Sequence, residues 1–440
     1  MKKMILPAVA LASSMAFADP EITALTVTQN DSRLVTITYA LSADAVVTLD
    51  MTTNGVSIGS ENFQKIYDPS VARGGSPVNK VVKAGEHTIF WQPNREWPGY
   101  IFRNGEFKVE LRAWPLSSPP DYMVVDLETP SNRWFYVTAA DIPGGIRTAD
   151  PDDADAVAAL NSDPYRTTKL VMRRIPAAGN QWLMGAPMGE TPYRYYFFDD
   201  TTKNPEEQHY VTLTEDYYMA IYELTSVQRR KIMGADNYAS IDVNLSGWKL
   251  TDACPPSVTY QNLRGDGEGC CWPGDGHAVG ANSELRKFRD FTGLRFDLAT
   301  EAEWEYACRA GTSGPLYNGG LTDADASEIA WVSANNGERP KVVGLKKPND
   351  WGLYDMIGNQ FEWALDQRGY FSADPVVDPK GASDTPGYRV LRGGSYSQVW
   401  QRFGRAAARR DLAPDQFSDG GFGGIVGGVR LCCPIAIPAE

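Results

Sequence analysis

The stretch ALTVTQNDSRLVTITYALSADAVVTLDMTTNGVSI, residues 24–58, alternates apolar and polar side chains with a period near two. This alternation is the period of an extended strand, with one row of side chains turned towards a core. It breaks at Asn30-Asp31-Ser32 and at Asn54-Gly55, residue types that favour turns. VVKAGEHTIFWQPN and GYIFRNGEFKVELRAW continue the pattern, the second with a hairpin signal at Asn104-Gly105. Several short strands at this spacing predict a small all-β domain over residues 19–128, an immunoglobulin-like sandwich. Gly55-Val56-Ser57-Ile58-Gly59 matches the serine-hydrolase elbow, but that motif needs a strand-to-helix turn in an α/β sheet. Inside an all-β pattern it reads as a strand crossing.

Residues 1–18, MKKMILPAVALASSMAFA, have the form of an export leader: Lys2 and Lys3, a short apolar run, then Ala16-Phe17-Ala18 as the cleavage site. The run is shorter than the roughly 20 apolar residues of a membrane span. The expectation is an exported protein, periplasmic or secreted, whose mature chain starts at Asp19. Removing two lysines takes the formal charge from -13 to -15. That balance argues against nucleic acid or an anionic membrane surface as partner. All six cysteines (254, 270, 271, 308, 432 and 433) lie in the C-terminal half, and in an oxidising compartment they read first as disulfides. Fifteen pairings are open.

Residues 129–166 contain TADPDDADAVAALNSDP, acidic and rich in small residues, and read as a solvated linker. Regular order returns after it. Thr225 with Gln228 opens a helix closed by Gly234; Ser283 caps ELRKFRDF, with Leu285 and Phe288 on one face and Gly293 beyond. Thr300 with Glu303 caps EAEWEYACRA, ended by Gly311. In that helix Trp304, Ala307 and Cys308 form an apolar stripe, with Glu301 and Glu305 expected on the wet side.

Zinc hydrolysis has no support, since His87, His209 and His277 are scattered and no H-E-x-x-H or C-x-x-C occurs. GGFGGIVGG lacks the lysine and spacing of a phosphate loop. The positive signal is a series of segments in fixed order: LVMRRIPAAGNQWLMGAP, YYMAIYELTSVQ, RFDLATEAEWEYACRAGT, KKPNDWGLYDMIGNQFEWALD, YRVLRGGSYS and GGVRLCC. Each resembles a signature of the formylglycine-generating enzyme family, the sulfatase-modifying factors. The resemblance covers residues from about 168 to the end. It implies a domain over residues 167–440 with an α+β, C-type-lectin-like fold and little regular secondary structure.

Active members of that family oxidise a sulfatase cysteine to formylglycine, using molecular oxygen and a copper(I) held by two thiolates, the soft ligands that copper(I) prefers. The matching positions here carry Gln398 and, near a two-residue shortening, Phe403; copper is therefore not expected. Ser395 is kept, and a groove tryptophan of the family is Phe361. Adjacent Cys432 and Cys433 are poor substitutes, because their side chains diverge. The family's disulfide does not carry over, since the partner position of Cys308 is Ala406. The resemblance implies calcium held by the carboxylates of Asp355 and Glu362 and the carbonyls of Gly358 and Gln360, an all-oxygen set suited to a hard cation.

Arg389, Arg392, Arg402, Arg405, Arg409 and Arg410 cluster around the groove segment, where they pair with the domain's own acids or clamp an anionic ligand. Tyr396 and Trp400 are candidate groove aromatics. The expected function is a non-catalytic or divergent family member that holds a peptide, protein or glycan in the groove formed by Ser395, Tyr396, Gln398, Trp400, Phe361 and Arg405. The alternative is an active oxidase that modifies an exported protein such as a sulfatase.

Overall fold

The computed structural model describes residues 4–5, 8–11, 19–58, 66–67, 78–93, 107–129, 133–187, 190, 203–234, 253–265, 279–335, 339–381, 387–416 and 427–435. Lys2, Lys3, the Ala16–Ala18 cleavage site, the Asn104-Gly105 hairpin, Cys270, Cys271 and His277 lie outside the described residues. The chain divides into two compact units, one of residues 1–124, 133–147 and 435–440, the other of residues 125–132 and 148–434.

The first unit is all-β. Strands β1 (Ile22–Gln29), β2 (Val35–Leu41), β3 (Ala45–Thr53), β4 (Gly85–Trp91) and β5 (Phe107–Pro115) build two sheets. One carries β1, β2 and β4 in that order, all antiparallel; the other centres on the β3–β5 pair. In β2 the period of two is visible directly: Val35, Ile37, Tyr39 and Leu41 are buried, and the residues between them are half-exposed. These join Leu49, Met51, Val109 and Leu111 of the other sheet in one core, closed by Trp91 stacked on Phe107. The expected sandwich is thus formed by inward rows from both sheets. Ser57, the serine of the elbow-like string, sits in a two-residue strand paired with β3, after the Asn54-Gly55 turn. Within the stretch expected as a leader, Ala8–Leu11 runs parallel to β5.

The segment 129–166 is more ordered than a connector. Arg133–Tyr136 is a strand of the first unit. In the second unit a short helix, Ala154–Ala159, is capped by Asp153, and Asp163 is buried against Arg166 as an ion pair.

The second unit mixes short strands and short helices. Strands β6 (Lys169–Ile175), β7 (Asn180–Met184), β8 (His209–Leu213) and β9 (Tyr217–Ala220) come first. Helices α1 (Ser226–Met233), α2 (Glu284–Thr292) and α3 (Glu301–Arg309) follow, then β10 (Phe361–Gln367), β11 (Arg389–Arg392), β12 (Arg410–Leu412) and β13 (Cys432–Pro434). All three helices start where their capping signals place them. Thr225 and Thr300 form capping boxes with Gln228 and Glu303, and the Ser283 side chain accepts from the Arg286 amide. Gly293 ends α2 in the left-handed conformation. The sheet β10–β11–β12 is antiparallel, and its register sets Glu362 opposite Arg392. It carries the site described next.

One expectation fails. Glu301 and Glu305, placed on the wet side of α3, are both fully buried. Two arginines distant in sequence reach them: Arg409 clamps Glu301 through two nitrogens at 2.6 and 2.7 Å, and Arg392 holds Glu305 at 2.6 Å, joined by Arg309 one turn along the same helix at 2.8 Å. A helix pattern shows which positions are polar; it does not show that remote cations will neutralise them inside.

Candidate functional site

Strand β11 is followed by Gly393-Gly394, both at positive φ (86° and 77°). A Cβ on Gly394 would lie 2.9 Å from the Gly404 nitrogen and from the Phe403 carbonyl carbon and oxygen, so only glycine lets the two segments close. The turn delivers Ser395, whose hydroxyl lies 3.1 Å from that of Ser397. Backbone bonds then fix the segment: the Tyr396 amide donates to the Asn359 carbonyl (2.9 Å), and the Ser333 amide donates to the Gln398 carbonyl (3.0 Å).

Of the six residues expected to form the groove, five are buried: Phe361, Ser395, Tyr396, Trp400 and Arg405. Trp400 donates its indole N–H to Asp323 at 2.7 Å. Arg405 holds Glu206 through two nitrogens (2.8 and 2.9 Å) and also pairs with Glu190, so its guanidinium is engaged by the domain's own acids. Arg392 and Arg409 are engaged in the same way by Glu305 and Glu301. What the segment presents to solvent is Ser397, Gln398 and Val399, the last 42% exposed.

Phe361, on β10, and Phe403, on the short helix Trp400–Phe403, meet edge to face with ring centroids 5.9 Å apart. Both rings are buried, and the Arg410 guanidinium lies 5.6 Å from the centre of Phe403. Such a contact contributes about 0.5–1.5 kcal/mol beyond the area it buries.

Beside this pair the turn from Asp355 to Gln360 is held in left-handed conformations at Asp355, Gly358 and Asn359 (φ 54°, 82° and 53°). Glu223, which sequence reasoning did not single out, organises it from below. Its carboxylate accepts from the Asn359 amide group (2.6 Å) and from the Gln360 backbone N–H (2.9 Å). Burial, with Asp355 and Glu362 nearby, pushes the Glu223 carboxyl well above the usual range, and burial raises Asp355 to about 6. Arg430, also missed, binds Glu362 through Nε and Nη2 (2.7 Å at the shortest) and donates to the carbonyls of Ala220 and Tyr354. Both residues lie inside apolar runs, AIYEL and GVRLCC, and a lone charge in such a run is the available sequence signal for a buried ion pair.

Residues 177–423 match the family model described as the sulfatase-modifying factor enzyme 1-like domain. The chain belongs to this family. The chain is 37% identical over 137 residues to a formylglycine-generating enzyme of Streptomyces coelicolor, covering 28% of this chain and 43% of the relative. Over 154 residues it is 31% identical to the inactive C-alpha-formylglycine-generating enzyme 2 of Bos taurus, covering 31% of this chain and 45% of that protein. It thus spans less than half the length of either relative. Among solved structures, Treponema denticola variable protein 1 aligns with 61% of this chain and 96% of its own, at 22% identity and a TM-score of 0.43. The fold class is the expected one, an all-β region followed by an α+β sulfatase-modifying factor domain with little regular secondary structure.

The donors present in this domain can be set against the metals of the family. For copper(I), Gln398 offers an amide and Phe403 a ring packed on Phe361; neither is a soft ligand, and the residues do not fit. Cys432 and Cys433 do not replace them. They pair with Met219 and Tyr218 as neighbours on β13, and successive residues of a strand face opposite sides. Burial also pushes the Cys432 thiol well above its ordinary range. The four described cysteines (254, 308, 432 and 433) are buried, and no disulfide joins any two of them.

For calcium, the expected ligands Asp355, Gly358, Gln360 and Glu362 lie near one another, but both oxygens of Glu362 are occupied by Arg430 and by the Trp304 indole N–H (2.7 Å). Asp355 accepts the Gly344 N–H through one oxygen and leaves the other without a partner. One open carboxylate oxygen beside a guanidinium does not fit a dication that takes six or more oxygens. Among the described residues, no group of three or more His, Cys, Asp or Glu side chains is arranged to hold a metal ion.

Proposed function

We propose that this protein is a divergent, non-catalytic sulfatase-modifying factor that is exported and holds a peptide or glycan at the Ser397–Val399 surface without oxidising it. The contact between Phe361 and Phe403 carries the reading. Two of the three positions where the chain departs from the family's groove and thiolate pattern, 361 and 403, are packed on each other, so a phenyl ring stands at one of the two places where the oxidase chemistry needs sulfur. A relative described as inactive supports the same direction.

The test is incubation of the copper(I)-loaded protein with a C-x-P-x-R peptide and oxygen, read by mass spectrometry beside metal analysis under reducing conditions. The expected result is unmodified peptide and less than stoichiometric copper. Formylglycine in the peptide supports the alternative, an active oxidase acting on an exported protein such as a sulfatase. Export has its own check: N-terminal sequencing of secreted material begins at Asp19, and a retained Met1 refutes it.

A further inference from the structure

The sandwich unit holds a cavity of about 290 Å³ between the outward face of β3–β5 and the 133–141 segment. Its wall contains an arrangement that sheet stability alone disfavours. Asp50 and Glu110 are direct cross-strand partners, two like charges opposite each other, and Asp141 brings a third carboxylate to the same space. Burial, then Asp141 and Glu110, raise the Asp50 carboxyl above its ordinary range.

Each of these acids has one oxygen bonded and one open. Asp50 accepts from the Met51 amide and the Ser57 hydroxyl through Oδ1; Glu110 accepts from Lys108 through Oε1; Asp141 accepts from Thr138 through Oδ2. Among the described residues their other oxygens carry no bond. Donors share the wall. Arg112 lies over the Trp114 ring at 4.5 Å, and among the described residues its buried Nε has no partner. The side-chain amide of Asn79 also lines the cavity, with no bond among the described residues, while its backbone is tied at both ends to Val47 and Phe135. Tyr136 adds a ring to the lining.

A cavity with open acceptors, open donors and an aromatic wall matches a ligand whose every polar group both gives and accepts a hydrogen bond. We infer that this cavity is a carbohydrate site that takes a single sugar ring, with ring hydroxyls donating to Asp50, Glu110 and Asp141 and accepting from Arg112 and Asn79. Its volume lies just below the roughly 300–1,000 Å³ of drug-sized sites, which favours one ring over a chain. An organic cation would answer the carboxylates but leave Arg112 opposed, and the site is separate from the groove of the other unit.

The experiment titrates the full-length protein, by ligand-observed NMR and calorimetry, with methyl glycosides of glucose, galactose, mannose and N-acetylglucosamine, and with putrescine as the cationic probe. Saturable binding of at least one glycoside is expected. It should weaken tenfold or more in Arg112→Met and in Asn79→Gly, the second chosen because φ at Asn79 is 58° and glycine keeps that backbone. Circular dichroism and melting curves confirm that both variants fold. The inference is overturned if no glycoside binds saturably, if putrescine alone binds, or if glycoside affinity is unchanged in both folded variants.

Discussion

Replacing Glu305 by Gln removes one negative charge from the centre of the second unit without changing side-chain volume. Glu305 is fully buried and accepts from the Gly185 amide (2.9 Å), from Arg309 and from Arg392. Glutamine can satisfy one of those donors through its carbonyl, but its NH2 then faces another donor. Among the described residues Arg392 keeps Glu301, at 3.3 Å, as its one ion-pair partner. Breaking a buried pair from one side costs about 3–5 kcal/mol, because the remaining charge stays desolvated. At about 2–4 °C per kcal/mol for a unit of this size, the melting temperature falls by about 6–20 °C at neutral pH. Calorimetry of the two proteins across pH supplies a second check. Burial works to raise the Glu305 carboxyl, but Arg309 and Arg392 outweigh it and hold the group below its ordinary 4.5. Its contribution is therefore present above that value and is lost as the pH falls through the lower folded value. The gap between wild type and variant should close in acid. A loss under about 1 kcal/mol at neutral pH, or a gap that persists in acid, refutes the claim that this acid is buried as an ion.

Three other outcomes follow from the same contacts. Gly394→Ala destabilises by at least about 1–2 kcal/mol from its left-handed backbone alone, before the 2.9 Å clash with the 403–404 segment; chemical denaturation measures it, and a neutral result removes the close approach. Thr300→Ala loses the α3 capping box and about 1 kcal/mol, read in the same assay; a loss of zero shows the cap is not formed in solution. Melting curves in calcium and in chelator should coincide, because Arg430 occupies Glu362, and a calcium-dependent rise would restore the family's metal site.

The parts of the structure legible in the sequence are those decided by neighbours in the chain. Alternation in Val35–Leu41 gave the sandwich, and the Thr225, Ser283 and Thr300 caps gave three helix starts, since a capping side chain needs only an amide three residues on. The site was legible as a set of positions and not as contacts. Glu301 and Glu305 looked solvated because Arg392 and Arg409 approach from about 90 to 110 residues away. Glu223 was passed over although it holds the turn that the motif pointed to, because its partners, Asn359 and Gln360, are more than 130 residues distant. Arg405 shows the opposite case. An arginine beside a groove is a natural anion clamp until the fold brings Glu206 to it.

The meeting of Phe361 and Phe403 also bears on how such a chain changes over generations. Cysteine at 403 alone removes most of a buried ring, a loss of the kind that costs about 3–5 kcal/mol. Tryptophan at 361 alone forces a larger ring against Phe403, at about 1–3 kcal/mol. Neither step restores a pair of thiolates, because Gln398 must change as well. Each single change costs stability before the combination supplies two thiolates, so the contact works as a ratchet that holds this set of side chains apart from a thiolate pair.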